Sequence, residues 1–347
     1  MTRKPLLAAA AGMCVLVLPL TACSSSKNET TTEPGASADA NAPVATSVTA
    51  PDKAKKNYNI QFVQGVAGDE FYISMQCGAE AEAAKLGVTV TTQGPQKFDP
   101  TLQRPILDSV SAAGPDAILI APTDVTAMQS PLEKAAQSDV KVVLVDTTTD
   151  DPSFATSAIA SDNEGGGKAA FEALKQLNPN GGKVMIMSVD PGISTTDARA
   201  KGFEDAVKAD SKFSYLGVQY SHNDPATASN IISSALQEDP DIVGVFAANL
   251  FSAEGTATGV RQSGKGEQVK IVGFDAGPNQ IKALKEGTVQ ALVAQQPGVI
   301  GEYGVDMAVA ALDGGTVTPK VQTGFTVITQ ENVDTPEGQE AAYKSSC

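Results

Sequence analysis

Short apolar segments of this chain are repeatedly followed by a polar or charged residue at the point where each segment ends. These residues, with two neighbouring aromatics, are Asp69, Phe71, Tyr72, Asp146, Arg199, Asn249, Asp275 and Gln295. A carboxylate accepts paired hydrogen bonds from vicinal hydroxyls, a guanidinium supplies a fork of donors, and amides do both. Aromatic rings add flat apolar faces that can cover the C–H face of a sugar ring.

Each single Asp or Asn in this set has a simpler explanation, because both residues are common helix N-caps. The binding interpretation depends on the whole set, which converges only if the apolar segments lie in two facing sheets. In open parallel sheets, ligands bind just beyond the carboxyl ends of the strands, where these residues lie. The pattern therefore predicts a polar binding site, with capping as the alternative for any one residue.

The composition disfavours several other functions. The chain has one histidine, His222, so a multi-histidine metal site and a catalytic pair of histidines are excluded. The segment at 259–265 resembles a phosphate-binding loop, but Gly266 replaces the required Ser or Thr and a predicted helix precedes it. The net charge of −15, from 25 basic and 40 acidic residues, disfavours nucleic-acid binding. We expect no enzyme activity, no cofactor and no metal.

Alternating strands and helices must position the candidate residues. Segments 117–120 and 141–145 are short and apolar on both faces, as buried parallel strands are. The stretch 70–86 has helical apolar spacing and ends at Gly87, which suits a left-handed cap. About ten such strands are too many for one small sheet. The predicted fold is α/β with two doubly wound parallel-sheet lobes, and a TIM barrel is the alternative.

The first residues have the features of an export signal. Two basic residues precede an apolar run at 6–20, which is shorter than the roughly 20 residues of a membrane span. The sequence LTAC at 20–23 resembles a bacterial lipobox, in which Cys23 would carry diacylglycerol. An ordinary signal peptide with a chance cysteine is the alternative. We therefore predict a lipoprotein signal peptide at 1–22 and, from its Ser, Thr, Ala and Pro content, a flexible tether at 23–56.

Eight motifs in the rest of the chain are specific when taken together. They are the FY pair at 71–72 before MQCGAEAEAAKLG, IAPTD at 120–124, LVDTT at 144–148, IASDNEGGG at 159–167, ARAKGF at 198–203, VFAAN at 245–249, VGFDAGP at 272–278 and AQQP at 294–297. With them, residues 57–330 resemble the ribose-binding-protein family, the type I periplasmic sugar-binding components of ABC transporters. The resemblance implies an actinobacterial-type lipoprotein with two lobes joined by a three-segment hinge.

The resemblance also implies which segments form each lobe and which residues bind the ligand. The N-terminal lobe would comprise residues 57–161 and 296–324, and the C-terminal lobe with its tail would comprise 162–295 and 325–347. Phe71 and Tyr72 would sandwich the sugar. Its hydroxyls would be bound by Asp146, Arg199, Asn249, Asp275 and Gln295.

Four positions depart from the ribose-binding pattern. Asp69 and Ala121 each stand where that pattern has Asn, Thr147 stands where it has Arg, and Asn223 falls near an expected aromatic. Losing an Arg and an Asn from one lobe removes up to seven donors. A different pentose, a hexose or a polyol is therefore expected in place of ribose.

The resulting hypothesis is a lipid-anchored, extracytoplasmic, monomeric receptor that delivers a neutral monosaccharide or polyol to an ABC permease. Its contact with the membrane would be through the lipid alone. A receptor that feeds a sensor kinase is an alternative that the sequence does not separate from it. The effector domain of a lactose-repressor-type regulator is a further alternative, but it would need a basic helix-turn-helix before residue 57, where this chain has a lipobox and a tether.

Two cysteines remain once Cys14 is removed with the signal and Cys23 is committed to lipid. Cys77 lies on the first predicted helix, and Cys347 ends a 17-residue extension, ENVDTPEGQEAAYKSSC. Because the compartment is oxidising, we predict a disulfide between them, with two unpaired thiols as the alternative.

Replacing Cys23 by Ala tests the anchor. We expect the Cys23→Ala variant to be released into the medium, because the predicted tether offers no second anchor. Immunoblots of the membrane and medium fractions measure the distribution. Retention of the variant in the membrane fraction at the wild-type level would contradict lipidation at this residue.

Overall fold

Two sheets, each flanked by helices, form the body of the computed structural model, which describes residues 37–38 and 42–347. The strands are Val44–Ala45 (β1), Asn59–Val63 (β2), Thr89–Gln93 (β3), Ala117–Ile120 (β4), Lys141–Val145 (β5), Ser157–Ser161 (β6), Gly182–Ser188 (β7), Phe213–Tyr220 (β8), Ile242–Ala247 (β9), Lys270–Phe274 (β10), Ala291–Ala294 (β11), Lys320–Thr323 (β12) and Thr326–Thr329 (β13). The helices are Glu70–Leu86 (α1), Pro100–Ala112 (α2), Gln129–Ala136 (α3), Asn163–Leu177 (α4), Ser194–Lys208 (α5), Pro225–Glu238 (α6), Leu250–Gln262 (α7), Pro278–Lys285 (α8), Pro297–Leu312 (α9) and Pro336–Glu340 (α10), with a 3₁₀ turn at Pro152–Phe154.

The strands form two separate sheets. One has seven strands in the order β1-β12-β6-β5-β4-β2-β3, and the other has six in the order β13-β11-β10-β9-β7-β8. β13 runs antiparallel to β11, and the other strand pairs of the described residues are parallel. Two open sheets confirm the prediction of two doubly wound lobes. They exclude the barrel, because a barrel would close one sheet on itself.

Helices on both faces bury the central strands completely. Every residue of β4 is buried, which is why its sequence AILI is apolar without alternation. Helix α1 spans 70–86 as predicted, and Gly87 ends it in a left-handed conformation with φ of 76°. Its N-cap is Asp69, whose side chain accepts a hydrogen bond from the Phe71 N–H.

The chain crosses between the two sheets three times, and the crossings lie close together. They connect β6 to α4, β11 to α9 and β12 to β13. β6 and β12 pair up to Ser161 and Thr323, and β11 pairs with β13 from Ala294 and Thr326, so the crossings begin side by side. In the described residues, these three short connections are therefore the backbone links between the two lobes.

The residues just before β2 lie against the first lobe, which differs from the prediction of a tether up to residue 56. Val44 pairs with Lys320 on the edge strand β12, and the Ala54 N–H donates to the Leu86 carbonyl at 3.0 Å. These contacts are backbone hydrogen bonds, which need no apolar side chains and so leave no signal in the hydropathy of the segment. The predicted signal peptide and Cys23 lie outside the described residues.

The tail after β13 returns to the first lobe. The Sγ atoms of Cys77, on α1, and Cys347 are bonded at 2.06 Å, so the predicted disulfide is present. Among the described helices, none is long and apolar enough to cross a membrane.

Helices α4 and α5 pack with their backbones in contact because glycines face each other across the pair. A Cβ atom on Gly167 of α4 would overlap the carbonyl oxygen of Arg199 on α5, and one on Gly202 of α5 would overlap the carbonyl oxygen of Glu164 on α4. Only residues without a side chain allow this approach. The packing sets the position of Arg199, one of the candidate site residues.

Replacing Gly167 by Ala should destabilise the protein. The substitution gains up to about 1 kcal/mol of helix propensity. Overpacking costs about 1–3 kcal/mol, and a backbone carbonyl cannot move aside cheaply, so we take a cost of about 2–3 kcal/mol and expect a net loss of about 1–2 kcal/mol in the free energy of unfolding. Urea denaturation measures the loss. The matched control is Gly266→Ala, because a Cβ atom there meets nothing within 4 Å, and a change within about 0.5 kcal/mol is expected. Equal losses in the two variants would contradict the packing argument.

Candidate functional site

The eight predicted site residues lie together in one cleft between the lobes. All eight are at most 9% exposed. The space that the cleft leaves for the centres of water-sized molecules is about 50 Å³. Its lining consists of Asp69, Phe71, Tyr72, Phe98, Asp146, Val189, Ile193, Thr195, Thr196, Arg199, Asn223, Asn249, Asp275 and Gln295.

The two lobes contact each other directly beside the cleft. The Val125 N–H of the first lobe donates to the Gly192 carbonyl of the second at 3.1 Å. The Thr148 N–H of the first lobe donates to Ser194 Oγ at 2.9 Å. With these hydrogen bonds in place, the lobes are closed over the site.

Asp146 and Asp275 occupy equivalent positions in the two lobes. Each directly follows a buried strand, β5 or β10, and each has positive φ, 66° and 77° respectively. The backbone N–H of each donates to the next strand, to Ile159 at 2.8 Å and to Val293 at 2.9 Å. Positive φ is unfavourable for a residue with a side chain and tends to occur at functional sites. One carboxylate is thereby directed into the cleft from each lobe.

Asp275 is held by three donors. Its Oδ1 accepts from Gln295 Nε2 at 2.7 Å and from the Tyr343 hydroxyl at 3.0 Å, and its Oδ2 accepts from the Leu250 N–H at 3.0 Å. Gln295 lies in the crossover between β11 and α9, and its Oε1 accepts from Ser161 Oγ at 2.7 Å. The orientation of the carboxylate is therefore set by Gln295, Tyr343 and the start of α7, and that of the Gln295 amide by Asp275 and Ser161.

Arg199 is the cation among the described residues that line the cleft, and two hydrogen bonds and one aromatic ring hold its guanidinium. Its Nε donates to Asn163 Oδ1 at 2.8 Å and its Nη1 to the Ala248 carbonyl at 2.8 Å. The guanidinium lies 3.8 Å from the centroid of the Phe274 ring. Two of its five N–H donors are used in these bonds, which sets the plane in which the rest of the fork lies.

Phe71 and Tyr72 form an aromatic corner of the cleft. Their ring centroids are 5.2 Å apart and their planes make an angle of 79°. The Tyr72 hydroxyl donates to Asp146 Oδ2 at 2.8 Å. Because the rings are nearly perpendicular, they leave no parallel slot between them. A sugar sandwiched between aromatic rings, as the resemblance implies, would therefore need a ring other than this pair on one side. Phe98 also lines the cleft and is such a ring.

The capping alternative applies to two of the predicted residues. Asp69 caps α1, and Asn249 caps α7 by accepting the Ser252 N–H at 3.1 Å. Both also line the cleft, and Asn249 Nδ2 donates to Asn223 Oδ1 at 2.7 Å. Capping uses one oxygen of each side chain, so it does not exclude a second role toward a ligand.

Sequence reasoning missed Phe98, Asn163, Thr195, Thr196 and Tyr343. Asn163 lies in the motif at 159–167, two residues after β6, so the motif was its available signal, whereas the other four lie farther from the ends of strands and no local pattern marks them. Of the positions that depart from the ribose pattern, Ala121 and Thr147 are not among the described residues that line the cleft. The Thr147 hydroxyl donates instead to the Pro122 carbonyl at 2.7 Å.

Burial raises the pKa of two carboxyls of the cleft. Burial and the nearby Asp275 raise the pKa of Asp69 to about 8, although the Phe71 N–H opposes the change. Burial also raises the pKa of Asp146, to about 6, against the opposing effects of Arg199 and the Tyr72 hydroxyl. At neutral pH, Asp69 is therefore mainly a neutral acid that can donate and accept, as an Asn amide does.

Other chemistries have less support in the described residues. The His222 ring lies outside the cleft lining and pairs with Asp190, Nδ1 to Oδ1, at 2.5 Å on the surface. No group of three or more His, Cys, Asp or Glu side chains in the described part of the chain could hold a metal ion. The cleft offers hydrogen-bond donors and acceptors on both lobes and an aromatic corner, which suits a ligand rich in hydroxyls.

The chain is similar to known solute-binding proteins over most of its length. Residues 60–316 match the periplasmic binding protein domain. The ribose import binding protein of Salmonella typhimurium is 31% identical over 288 residues, covering 83% of this chain and 96% of the relative.

Two solved structures of ABC transporter solute-binding proteins from Agrobacterium vitis are also similar. One, bound with α-D-tagatopyranose, is 40% identical with a TM-score of 0.82 and covers 83% of this chain and 100% of that structure. The other, with bound D-fucose, is 31% identical with a TM-score of 0.79 and covers 82% of this chain and 100% of that structure.

Replacing Asp69 by Asn tests the neutral form of this acid. The folded protein keeps a proton on Asp69 that the unfolded chain releases above about pH 4, so raising the pH toward 8 favours unfolding. Asn keeps the capping oxygen and carries no such proton. We therefore expect the stability advantage of the Asp69→Asn variant to grow between pH 4 and pH 8, by at most about 1.4 kcal/mol per pH unit, and then to level off.

Urea denaturation of the ligand-free proteins at several pH values measures this difference. Asp241→Asn is the control, because the Asp241 side chain is 79% exposed, and its effect should stay within about 0.5 kcal/mol at every pH. A constant difference between wild type and the Asp69→Asn variant across this range would show that Asp69 is ionised in the folded protein.

Proposed function

This chain belongs to the family of type I periplasmic sugar-binding proteins, and we propose that it captures a neutral monosaccharide or polyol between its lobes and delivers it to an ABC permease. Its relatives are solute-binding proteins, so the chain is a binding protein and not an enzyme. The proposal rests on one observation. Eight polar and aromatic side chains, contributed by both lobes and the hinge, meet in a single closed cleft.

The charges of the cleft favour a neutral ligand. Asp146 and Asp275 face one cation, Arg199, and Asp69 is mainly neutral at pH 7. An anionic ligand would add to an excess of carboxylates in a buried space, where unpaired charge is costly. Hydroxyl groups can donate to the carboxylates and accept from the guanidinium, so they satisfy both kinds of group.

Capture follows from the division of the site between the lobes. The first lobe supplies Phe71, Tyr72 and Asp146, and the second supplies Arg199 and Asp275. A ligand that contacts both sets binds the closed form better than the open form, and this difference in affinity shifts the population toward closure. Closure in turn presents a surface that a permease can distinguish from the surface of the open form.

The relatives of this chain indicate which sugars are candidate ligands. These relatives include a ribose import binding protein and solute-binding proteins bound with α-D-tagatopyranose and with D-fucose. Thr147 and Ala121 stand where the ribose pattern has Arg and Asn, and the donors lost at these two positions favour a sugar other than ribose. We propose a pentose, hexose or polyol whose hydroxyls bridge Asp146 and Asp275.

The location is proposed from the N-terminal sequence. The apolar run and the LTAC motif at 20–23 support export and lipid attachment at Cys23. A monomer held at the outer face of the cell membrane by its lipid would keep the binding lobes close to a permease.

Replacing the buried charged groups should weaken ligand binding. Arg199→Ala and Asp275→Ala each leave buried partners without a hydrogen bond, at a cost of about 2–5 kcal/mol. Affinity for the sugar should therefore fall about thirty-fold or more. Titration calorimetry against pentoses, hexoses, polyols, sugar phosphates and amino acids measures it. Matched controls are Arg261→Ala and Asp241→Ala, which remove the same side chains from exposed positions and should leave affinity unchanged.

Two results would contradict the proposed function. One is tight binding of a sugar phosphate or an amino acid in preference to every neutral sugar and polyol. The other is full affinity in both Arg199→Ala and Asp275→Ala.

A further inference from the structure

The C-terminal tail contributes a residue to the ligand site from behind the cleft. Tyr343 is 6% exposed, and its hydroxyl donates to Asp275 Oδ1 at 3.0 Å. The same hydroxyl accepts from the backbone N–H of Gln295 at 3.0 Å. One hydroxyl therefore connects two residues that the proposed function assigns to ligand binding.

Tyr343 does not line the cleft and acts through its neighbours. Its ring centroid lies 5.9 Å from that of Phe71, and its backbone N–H donates to the Ala276 carbonyl at 2.9 Å. Burial and the nearby Asp275 raise the pKa of its hydroxyl well above the usual value, so the group keeps its proton and remains a donor.

The tail is anchored to both lobes. At its start, β13 pairs with β11 in the second lobe. Beyond Tyr343, the Lys344 N–H donates to Ser74 Oγ at 2.7 Å on α1, and the disulfide joins Cys347 to Cys77 on the same helix. Three residues separate Tyr343 from Cys347, so the disulfide limits how far the tyrosine can move from Asp275.

We propose that Tyr343 is a positioning residue of the ligand site, whose hydroxyl holds Asp275 and Gln295 in their binding orientation and which the Cys77–Cys347 disulfide keeps in place. This inference rests on the proposed function. Without the hydroxyl, Asp275 Oδ1 loses one of its two donors, and the buried Gln295 N–H loses its acceptor. The carboxylate can then rotate away from the geometry that receives the ligand, and part of the binding free energy is spent on restoring it.

The first experiment removes the hydroxyl alone. Tyr343→Phe keeps the ring that packs beside Phe71, and we expect a loss of affinity of about 5- to 30-fold. Calorimetry uses the tightest-binding member of a panel of D-tagatose, D-fucose, D-allose, D-arabinose and D-ribose. The matched control is Tyr215→Phe. The Tyr215 hydroxyl is also buried but has no hydrogen-bond partner among the described residues, and its removal should leave affinity unchanged.

The second experiment tests whether the disulfide acts through Tyr343. The disulfide-free variant Cys77→Ser/Cys347→Ser is compared with Tyr343→Phe and with the combination of all three substitutions. If both changes release the same contact, the combined loss of affinity is smaller than the product of the separate losses. A tail that only stabilises the fold would give losses that multiply. Circular dichroism checks folding, and wild type reduced with a phosphine replaces the Ser variant if that variant does not fold.

The outcomes separate the inference from the proposed function. Wild-type protein that binds none of these five sugars and no other member of the panel of pentoses, hexoses and polyols would overturn both. Wild type that binds a sugar, together with a Tyr343→Phe variant that binds it equally well, would overturn the inference alone. So would separate losses from Tyr343→Phe and the missing disulfide that multiply in the combined variant.

Discussion

The hydrogen bonding of one buried carboxylate, that of Asp275, is the interaction on which the cleft depends. A carboxylate that is 4% exposed is very costly unless donors surround it. The three donors come from separate parts of the chain: the start of α7 at Leu250, the hinge at Gln295 and the tail at Tyr343. Second lobe, hinge and tail are therefore linked through one side chain, and the site is complete only when all three are in place.

A second constraint is the backbone at Asp146 and Asp275. Residues with side chains adopt positive φ at a cost of order 1–3 kcal/mol, and here the same conformation occurs after the equivalent strand of each lobe. A hydrogen bond from each backbone N–H to the neighbouring strand helps to hold it. The strain is thus offset by regular sheet contacts, and the result is a pair of carboxylates that approach a ligand from two sides.

Arg199 supplies the opposite charge, and the fold holds its guanidinium through two hydrogen bonds and one aromatic ring. Asn163 and the Ala248 carbonyl take two of its donors, and the ring of Phe274 supports its plane. The backbone around it is set by the glycine contacts between α4 and α5. The position of Arg199 therefore depends on the packing of the core. A larger side chain at Gly167 would displace α5, the helix that carries Arg199.

Much of this protein could be predicted from sequence because its elements follow local rules. Apolar segments without alternation indicated buried parallel strands, the spacing at 70–86 with Gly87 indicated α1, and polar residues after strands indicated the cleft. Other features depended on contacts between distant residues. The strand pairing of residues 44–45 uses only backbone groups, and Asn163 and Tyr343 reach the site through long-range hydrogen bonds. The nearly perpendicular rings of Phe71 and Tyr72 and the neutral form of Asp69 also required the tertiary structure, since ring orientations and burial depend on the residues packed around α1 and the cleft.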